Sequence, residues 1–285
     1  MSENKRLIDL LTATDEFFKT RGIDSPRRNA EALFAKALQL PRIELYLQHD
    51  RPLKDFELDQ IRELIRRRAK REPLQYLVGE VEFCNARIGL TPGLLIPRPE
   101  TEELVATLIE RIPANSRILD IGCGTGCISV ALAKNLDNCT IIAVDKDPDA
   151  VARTRSNAEL NDVSGKVSSL VLDLYSSSFP REVGAPFDVV VSNPPYLRTD
   201  ELPSLEPEVK DHERPHALAA GVKGDECFVR IAELIPDILN SSGILALEFG
   251  IHQENRVREL FEPVLTKLTI FRDMQGKERF LIGIR

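Results

Sequence analysis

No apolar stretch of this 285-residue chain approaches the ~18–20 residues that a membrane helix needs. The N-terminus, Met1-Ser2-Glu3-Asn4-Lys5-Arg6, runs into charged helical sequence without the apolar centre of a secretory signal. Cysteine is scarce as well. Cys84, Cys123, Cys127, Cys139 and Cys227 are odd in number and form no CxxC pair. Neither a disulfide framework nor a zinc site fits that pattern. Reduced thiols do, so a cytoplasmic location is expected. A GxxxxGK(S/T) loop is missing, which disfavours phosphoryl transfer, and no Ser-His-Asp set stands out. His212 and His216 are four residues apart, but Pro215 breaks the helix that would align their rings, so no metal is expected. Internal repeats are absent too.

What is there describes an ordinary globular protein of 32.0 kDa, 42% hydrophobic and 29% charged. That length suggests two domains or one elaborated domain. The net charge of −7 is unevenly spread. Residues 1–78 carry 16 Lys and Arg against 13 Asp and Glu, whereas residues 79–285 carry 22 against 32. An acidic remainder argues against gripping nucleic acid over a broad face, where phosphate neutralisation dominates affinity. The basic cluster Arg66-Arg67-Arg68, with Lys70 and Arg71, ends a predicted helix. It reads either as a solvated helix end matched to the macrodipole or as a rim for an acidic or RNA-bound partner.

Residues 1–75 read as a helical domain whose role would be partner recognition. Leu7, Leu10, Leu11, Thr14, Phe17 and Phe18 have helical spacing, and Arg21-Gly22 supplies a stop. Ser25-Pro26 reads as a cap with proline at the first helical position, and Asp55 as the start of another helix. Residues 76–98 read as a hairpin linker, with Val81–Phe83 and Ala86–Leu90 separated by Cys84-Asn85. Pro97-Arg98-Pro99 makes a stiff strap, after which Glu100 or Thr101 can open a helix. From residue 117 strands and helices alternate. Strands are predicted at 117–121, 140–144, 167–172, 187–192 and 244–248, with a closing pair at 268–272 and 278–284. Helices are predicted at 127–135, 148–161, 226–239 and 253–261. Runs such as Val189-Val190-Val191 suit a parallel sheet covered by helices, in which ligands bind beyond the C-terminal strand ends.

The candidate site residues lie at that edge. Asp120 precedes Gly122-Cys123-Gly124-Thr125-Gly126, a loop that lets a ligand approach backbone N–H groups closely. Its spacing lacks the longer glycine pattern of dinucleotide enzymes. The Asp120 carboxylate could meet a cationic amino group. Asp145 follows 25 residues later, where an acid commonly takes the ribose hydroxyls of a nucleoside. Asp147 is the better cap for the next helix. Asp173, followed by Leu174 and Tyr175, could meet an adenine edge. Asn193-Pro194-Pro195-Tyr196 closes the fourth predicted strand. Each proline fixes its own φ and restricts the residue before it, so the elbow is stiff. Asn193 Oδ1 and the Pro194 carbonyl can accept both protons of a planar –NH2 group, and Tyr196 offers a π face.

These motifs together resemble the HemK/PrmC family, protein-glutamine N5-methyltransferases that modify the Gly-Gly-Gln glutamine of peptide chain release factors. The resemblance is carried by Pro73–Glu80, by Leu95-Ile96-Pro97-Arg98-Pro99-Glu100-Thr101-Glu102, by Leu119–Gly126 and by Val191–Tyr196. It implies a class I α/β fold, with a seven-stranded, mostly parallel sheet whose last strand is antiparallel, behind a small helical bundle. It implies S-adenosyl-L-methionine (AdoMet) as cofactor, held by Asp120, Gly122, Cys123, Gly124, Thr125, Gly126, Asp145, Asp173, Leu174 and Asn193 of a methyltransferase domain at 99–285. Asn193, Pro194, Pro195 and Tyr196 would bind the substrate glutamine, with Asn193, Pro194 and Tyr196 catalytic. Segment 221–228 departs from the family's Gly-Gly-x-Asp-Gly pattern. The implied partner is a release factor, met by a monomer with no direct nucleic-acid or membrane contact. The alternative is a methyltransferase for exocyclic amines of nucleic acid, since adenine N6 or guanine N2 fits the same clamp.

Overall fold

Val189, Val190 and Val191 are all fully buried, which a strand allows only when both its faces are covered. They sit in a seven-stranded sheet in a computed structural model that describes residues 6–285. The chain forms two units. One comprises residues up to 79 together with 206–212; the other comprises 80–205 and 213–285.

The smaller unit holds α1 (Leu7–Thr20), α2 (Pro26–Leu38), α3 (Glu44–Leu47), α4 (Asp55–Ala69) and α5 (Leu74–Val78). Leu7, Leu11, Thr14 and Phe18 form the buried stripe of α1, and Leu33, Phe34 and Leu45 complete a separate core. The start of α2 differs from the sequence reading. Ser25 adopts a left-handed conformation and makes no side-chain cap, so only the proline at the first position remains of that signal. α4 does begin at Asp55, as read, and its first turn is closed by the Glu57 carboxylate, which accepts the Lys54 N–H at 2.8 Å. The basic cluster is largely consumed within the unit. Arg66 pairs with Glu63 and Arg67 with Glu72. Buried Arg68 donates to Asn29 at 2.7 Å and to Glu208 at 3.0 Å, and Arg71 reaches the same Glu208.

The larger unit opens with the hairpin β1 (Glu80–Phe83) and β2 (Ala86–Gly89). Its two turn residues, Cys84 and Asn85, both have positive φ, as the tightest hairpins require. The unit continues through α6 (Pro99–Ile109), β3 (Ser116–Ile121), α7 (Cys127–Asn135), β4 (Cys139–Asp145), α8 (Pro148–Leu160), β5 (Val167–Val171), α9 (Phe179–Glu182) and β6 (Phe187–Ser192). After β7 (Leu197–Arg198) comes α10 (Pro207–Lys210), which belongs to the smaller unit. Then follow α11 (Pro215–Leu218), β8 (Ala219–Gly221), α12 (Glu226–Ile238), β9 (Leu239–Glu248), α13 (Glu254–Phe261), β10 (Lys267–Arg272) and β11 (Glu278–Ile284).

The sheet order is β10-β11-β9-β6-β3-β4-β5, and the last strand in sequence, β11, runs antiparallel to both neighbours. The seven-stranded expectation therefore holds. Phe228, Ile231, Ile235 and Ile238 of α12 are fully buried against the sheet, each contributing ~1.5–3 kcal/mol. Two regions differ from expectation. Residues 199–218, where no element was predicted, form a 3-10 turn, α10 and α11, because Pro203, Pro207 and Pro215 chop the segment into short turns. α6 starts at Pro99 rather than at Glu100 or Thr101, since proline needs no N–H at a first helical position.

The chain lays down β3, β4 and β5 in one direction, then returns to place β6 on the other side of β3. That reversal opens a crevice at the C-terminal ends of β3, β4 and β6, the place where open α/β sheets receive ligands.

Candidate active site

A cleft of about 840 Å³, partly open to solvent, occupies the reversal point. Gly122 and Gly124 line it from the end of β3, Asp145 from β4, Asp173 and Leu174 from β5, and Asn193, Pro194 and Pro195 from β6. Gly122 and Gly124 have φ of 74° and 54°, and a Cβ on either would meet nothing within 4 Å. The open space beside them is where a ligand can approach the backbone. Asp145 accepts the Gly124 N–H at 3.0 Å and the Asp147 N–H at 2.9 Å. Burial raises its pKa, and those two N–H groups oppose the shift. Asp147 caps α8 by accepting the Asp149 N–H at 3.0 Å, and it also holds Arg214 and His216.

Other residues of the glycine loop lie behind the cleft and do not line it. Asp120 is fully buried; one carboxylate oxygen takes the Ser129 hydroxyl at 2.6 Å and the other has no hydrogen-bond partner among the described residues. Burial pushes its pKa up to about 7. The Cys123 thiol is covered and accepts from Thr154 at 3.3 Å, while the Thr125 carbonyl accepts from Asn157 at 2.8 Å. Gly126 is a packing glycine, because a Cβ there would come within 2.9 Å of the Thr154 backbone.

The elbow at the end of β6 is anchored from below by side chains to which the sequence reading gave no role at the site. Asn193 Nδ2 donates to Thr101 Oγ1 at 3.0 Å, and Thr101 Oγ1 donates to Glu248 Oε2 at 2.5 Å. The Tyr196 hydroxyl donates to the other Glu248 oxygen at 3.4 Å and accepts from Arg279 at 3.3 Å. Tyr196 is not among the cleft-lining residues; its ring packs against the sheet's hydrophobic core and its hydroxyl points into this network. Thr101, Glu248 and Arg279 are buried and come from α6, β9 and β11. Burial drives the Glu248 carboxyl up to about 7 and the Tyr196 phenol to about 12.

The strap has a tertiary anchor as well. Arg98 donates to both oxygens of buried Glu213 at 2.7 and 2.8 Å, and the Gly93 carbonyl accepts the Arg214 N–H at 2.8 Å. Leu94 and Leu95 are thereby carried to the cleft wall. The unusual segment 221–228 supplies Cys227 to the same wall, beside Tyr175. Neither contribution is visible locally, since the partners lie far apart in the chain.

Two family models match the chain: the PrmC N-terminal domain over residues 9–79 and the methyltransferase small domain over residues 100–204. Among solved structures, a methyltransferase from Pyrococcus furiosus superposes with a TM-score of 0.50 at 19% identity, covering 70% of this chain and 88% of that one. A 16S rRNA methyltransferase of T. thermophilus, solved with AdoMet and guanosine, also gives 0.50, at 18% identity over 72% of this chain and 50% of its own. At those identities the likeness concerns the fold. The curated relatives are much nearer. A release factor glutamine methyltransferase of Geobacter sulfurreducens is 39% identical, covering 88% of this chain and 87% of its own. That of Chlorobaculum tepidum is 36% identical over 96% of both chains, and the human MTRF1L release factor glutamine methyltransferase is 34% identical over 96% and 86%. With such identity sustained from end to end, this chain belongs to the release factor glutamine methyltransferase family.

Proposed function

We propose that this chain transfers a methyl group from AdoMet to the side-chain amide nitrogen of the glutamine in the Gly-Gly-Gln motif of release factors. One observation carries the reading: the Asn193-Pro194 elbow opens onto the same cleft as Gly122, Gly124 and Asp145. The relatives' shared name favours this over an exocyclic-amine methyltransferase of nucleic acid.

The residues present fit AdoMet. Gly122 and Gly124 leave a cradle that side chains would fill, Asp145 brings an acceptor carboxylate to its edge, and Leu174 gives an apolar wall. We assign these residues, with Asp173, to its nucleoside and methionine portions. Asp120, Cys123, Thr125 and Gly126 would shape the cradle from behind. When bound, AdoMet supplies an electrophilic methyl group on a sulfonium centre.

The elbow's task is to prepare a poor nucleophile. An amide nitrogen shares its lone pair with its carbonyl. Acceptance of both its protons by Asn193 Oδ1 and the Pro194 carbonyl would return electron density to nitrogen and fix its direction. Orientation of this kind is worth ~7–11 kcal/mol at best. Pro195 keeps the elbow stiff. Tyr196, with its pKa pushed up to about 12 and its oxygen engaged by Arg279, is no base and serves as the elbow's anchor. The surplus proton leaves to water. We assign recognition of the release factor to the helical residues 1–75 and transfer to 99–285, in a cytoplasmic monomer that does not bind nucleic acid directly.

Asn193→Ala is the direct test. Incubated with labelled AdoMet and a purified release factor, the variant should lose at least about 100-fold in turnover, with AdoMet affinity nearly kept. Near-normal turnover, or label in RNA and none in the factor, would overturn the assignment.

A further inference from the structure

We propose that Thr101 is a positioning residue that sets which way round the Asn193 amide stands, and so selects an N–H donor over a carboxylate in the cleft. The inference rests on the reaction proposed above but is argued from different atoms. A carboxylate can only accept, a hydroxyl has one proton to give, and an amide has one donor end and one acceptor end. Glu248 Oε2 takes the Thr101 proton at 2.5 Å, so Thr101 Oγ1 has only lone pairs left for Asn193. Asn193 must then offer its –NH2 to Thr101, at 3.0 Å, which turns Oδ1 toward the cleft. Without that chain the two amide orientations are nearly isosteric, and the reversed one would present –NH2 to the substrate. A reversed Asn193 repels a glutamine –NH2 and welcomes a glutamate oxygen.

The direction of the chain depends on Glu248 remaining an acceptor. Thr101 and Glu100 of α6, Tyr196, Cys127 of α7 and Arg279 of β11 face this group. Tyr196 donates to it and the Arg279 guanidinium lies 3.8 Å away, both favouring the carboxylate form. Burial works against them and sets the balance at about 7. Below that pH a protonated Glu248 can donate to Thr101, and the whole chain can reverse. Thr101 is nearly solvent-free, so a valine of similar shape keeps the packing while removing the relay.

The full-length chain, with Thr101→Val, Thr101→Ser and Glu248→Gln variants, tests this with two readouts. The first is methylation of a release factor, with a Gln-to-Glu release factor added as competitor. Thr101→Val should lower kcat about 10–100-fold with the KM for AdoMet unchanged, and Thr101→Ser should restore most of it. The Glu-bearing factor should inhibit Thr101→Val competitively and wild type hardly at all. Glu248→Gln, which can donate as well as accept, should resemble Thr101→Val at every pH. The second readout needs no substrate: hydrogen exchange of the Asn193 side-chain –NH2, assigned by its loss in Asn193→Asp. Measured against the free-amide rate at the same pH, protection should be strong above about pH 7, weaker below it, and absent in Thr101→Val. Unchanged kcat and unchanged Gln-over-Glu discrimination in Thr101→Val, or equal exchange in both proteins, would overturn the role. Should Thr101→Val not fold, Thr101→Ser and Glu248→Gln decide by the same criteria. If wild type fails to methylate the factor, the proposed reaction falls, while the exchange measurement still judges Thr101.

Discussion

Gly122 and Gly126 stand four residues apart in one loop and are glycines for different reasons. Both have positive φ, which costs an alanine on the order of 1–2 kcal/mol. Beyond that they diverge. Gly122→Ala points a methyl group into open space, so the protein should fold with a small loss of stability while AdoMet affinity falls sharply. Gly126→Ala forces the methyl group against the Thr154 backbone and should lose ~2–4 kcal/mol of stability in urea unfolding. The reverse pattern would show that the cradle lies elsewhere. The glycine loop was legible in the sequence as a tight turn of positive φ at the strand end, but which of its residues line the cleft was not. Asp120 illustrates the gap. Its place two residues before the first glycine suggested a ligand contact, and in the fold it faces Ser129 behind the loop.

Elements were legible wherever their burial follows a period. The valine run of β6 and the three-four spacing of α12 need no partner to declare themselves. Their register with distant elements is another matter. The hairpin β1–β2, read as a linker, is fastened to α8 by two asparagines: Asn161, just past the helix end, brackets the Arg87 backbone at 2.9 and 2.7 Å, and Asn157 holds Gly89. Buried Asn157 accepts the Gly89 N–H at 2.9 Å and donates to the carbonyls of Gly89 and Thr125 at 2.9 and 2.8 Å. It therefore ties the hairpin to the glycine loop. Asn157→Ala leaves three buried backbone groups unpaired and should cost ~2–4 kcal/mol, measured by calorimetry, together with reduced AdoMet affinity. No sequence signal marks an asparagine in mid-helix for this task, because its partners lie 32 and 68 residues away.

Across the whole molecule, the buried acids set how stability follows pH. Asp120 and Glu248 are both raised to about 7, against ~4 in an unfolded chain. Such an acid keeps its proton in the native state while the unfolded state gives it up. Its stabilising share is complete below about pH 4 and is lost as pH climbs toward 7. Asp147 and Glu31 act oppositely. Burial raises both, but the hydrogen bonds from Arg214 to Asp147 and from Tyr46, Arg27 and Arg42 to Glu31 prevail, so their share is lost on acidification. Cofactor-free protein should therefore lose stability between about pH 4 and 7. Asp120→Asn should flatten that slope, as followed by the urea midpoint at each pH; an unchanged slope would contradict the buried position of Asp120.

The amino-acid sequence alone determined the class of the fold, the edge of the sheet where the cleft lies, and the stiff elbow after β6. Each is written in short-range terms: periodic burial, glycines that admit positive φ, and prolines that restrict their neighbours. Only the tertiary structure decided which face of the elbow meets the cleft. That choice depends on the order of donors and acceptors through Glu248, Thr101 and Asn193. A hydrogen-bond relay has direction only when its members are in contact, and these three meet only after three separate elements have packed.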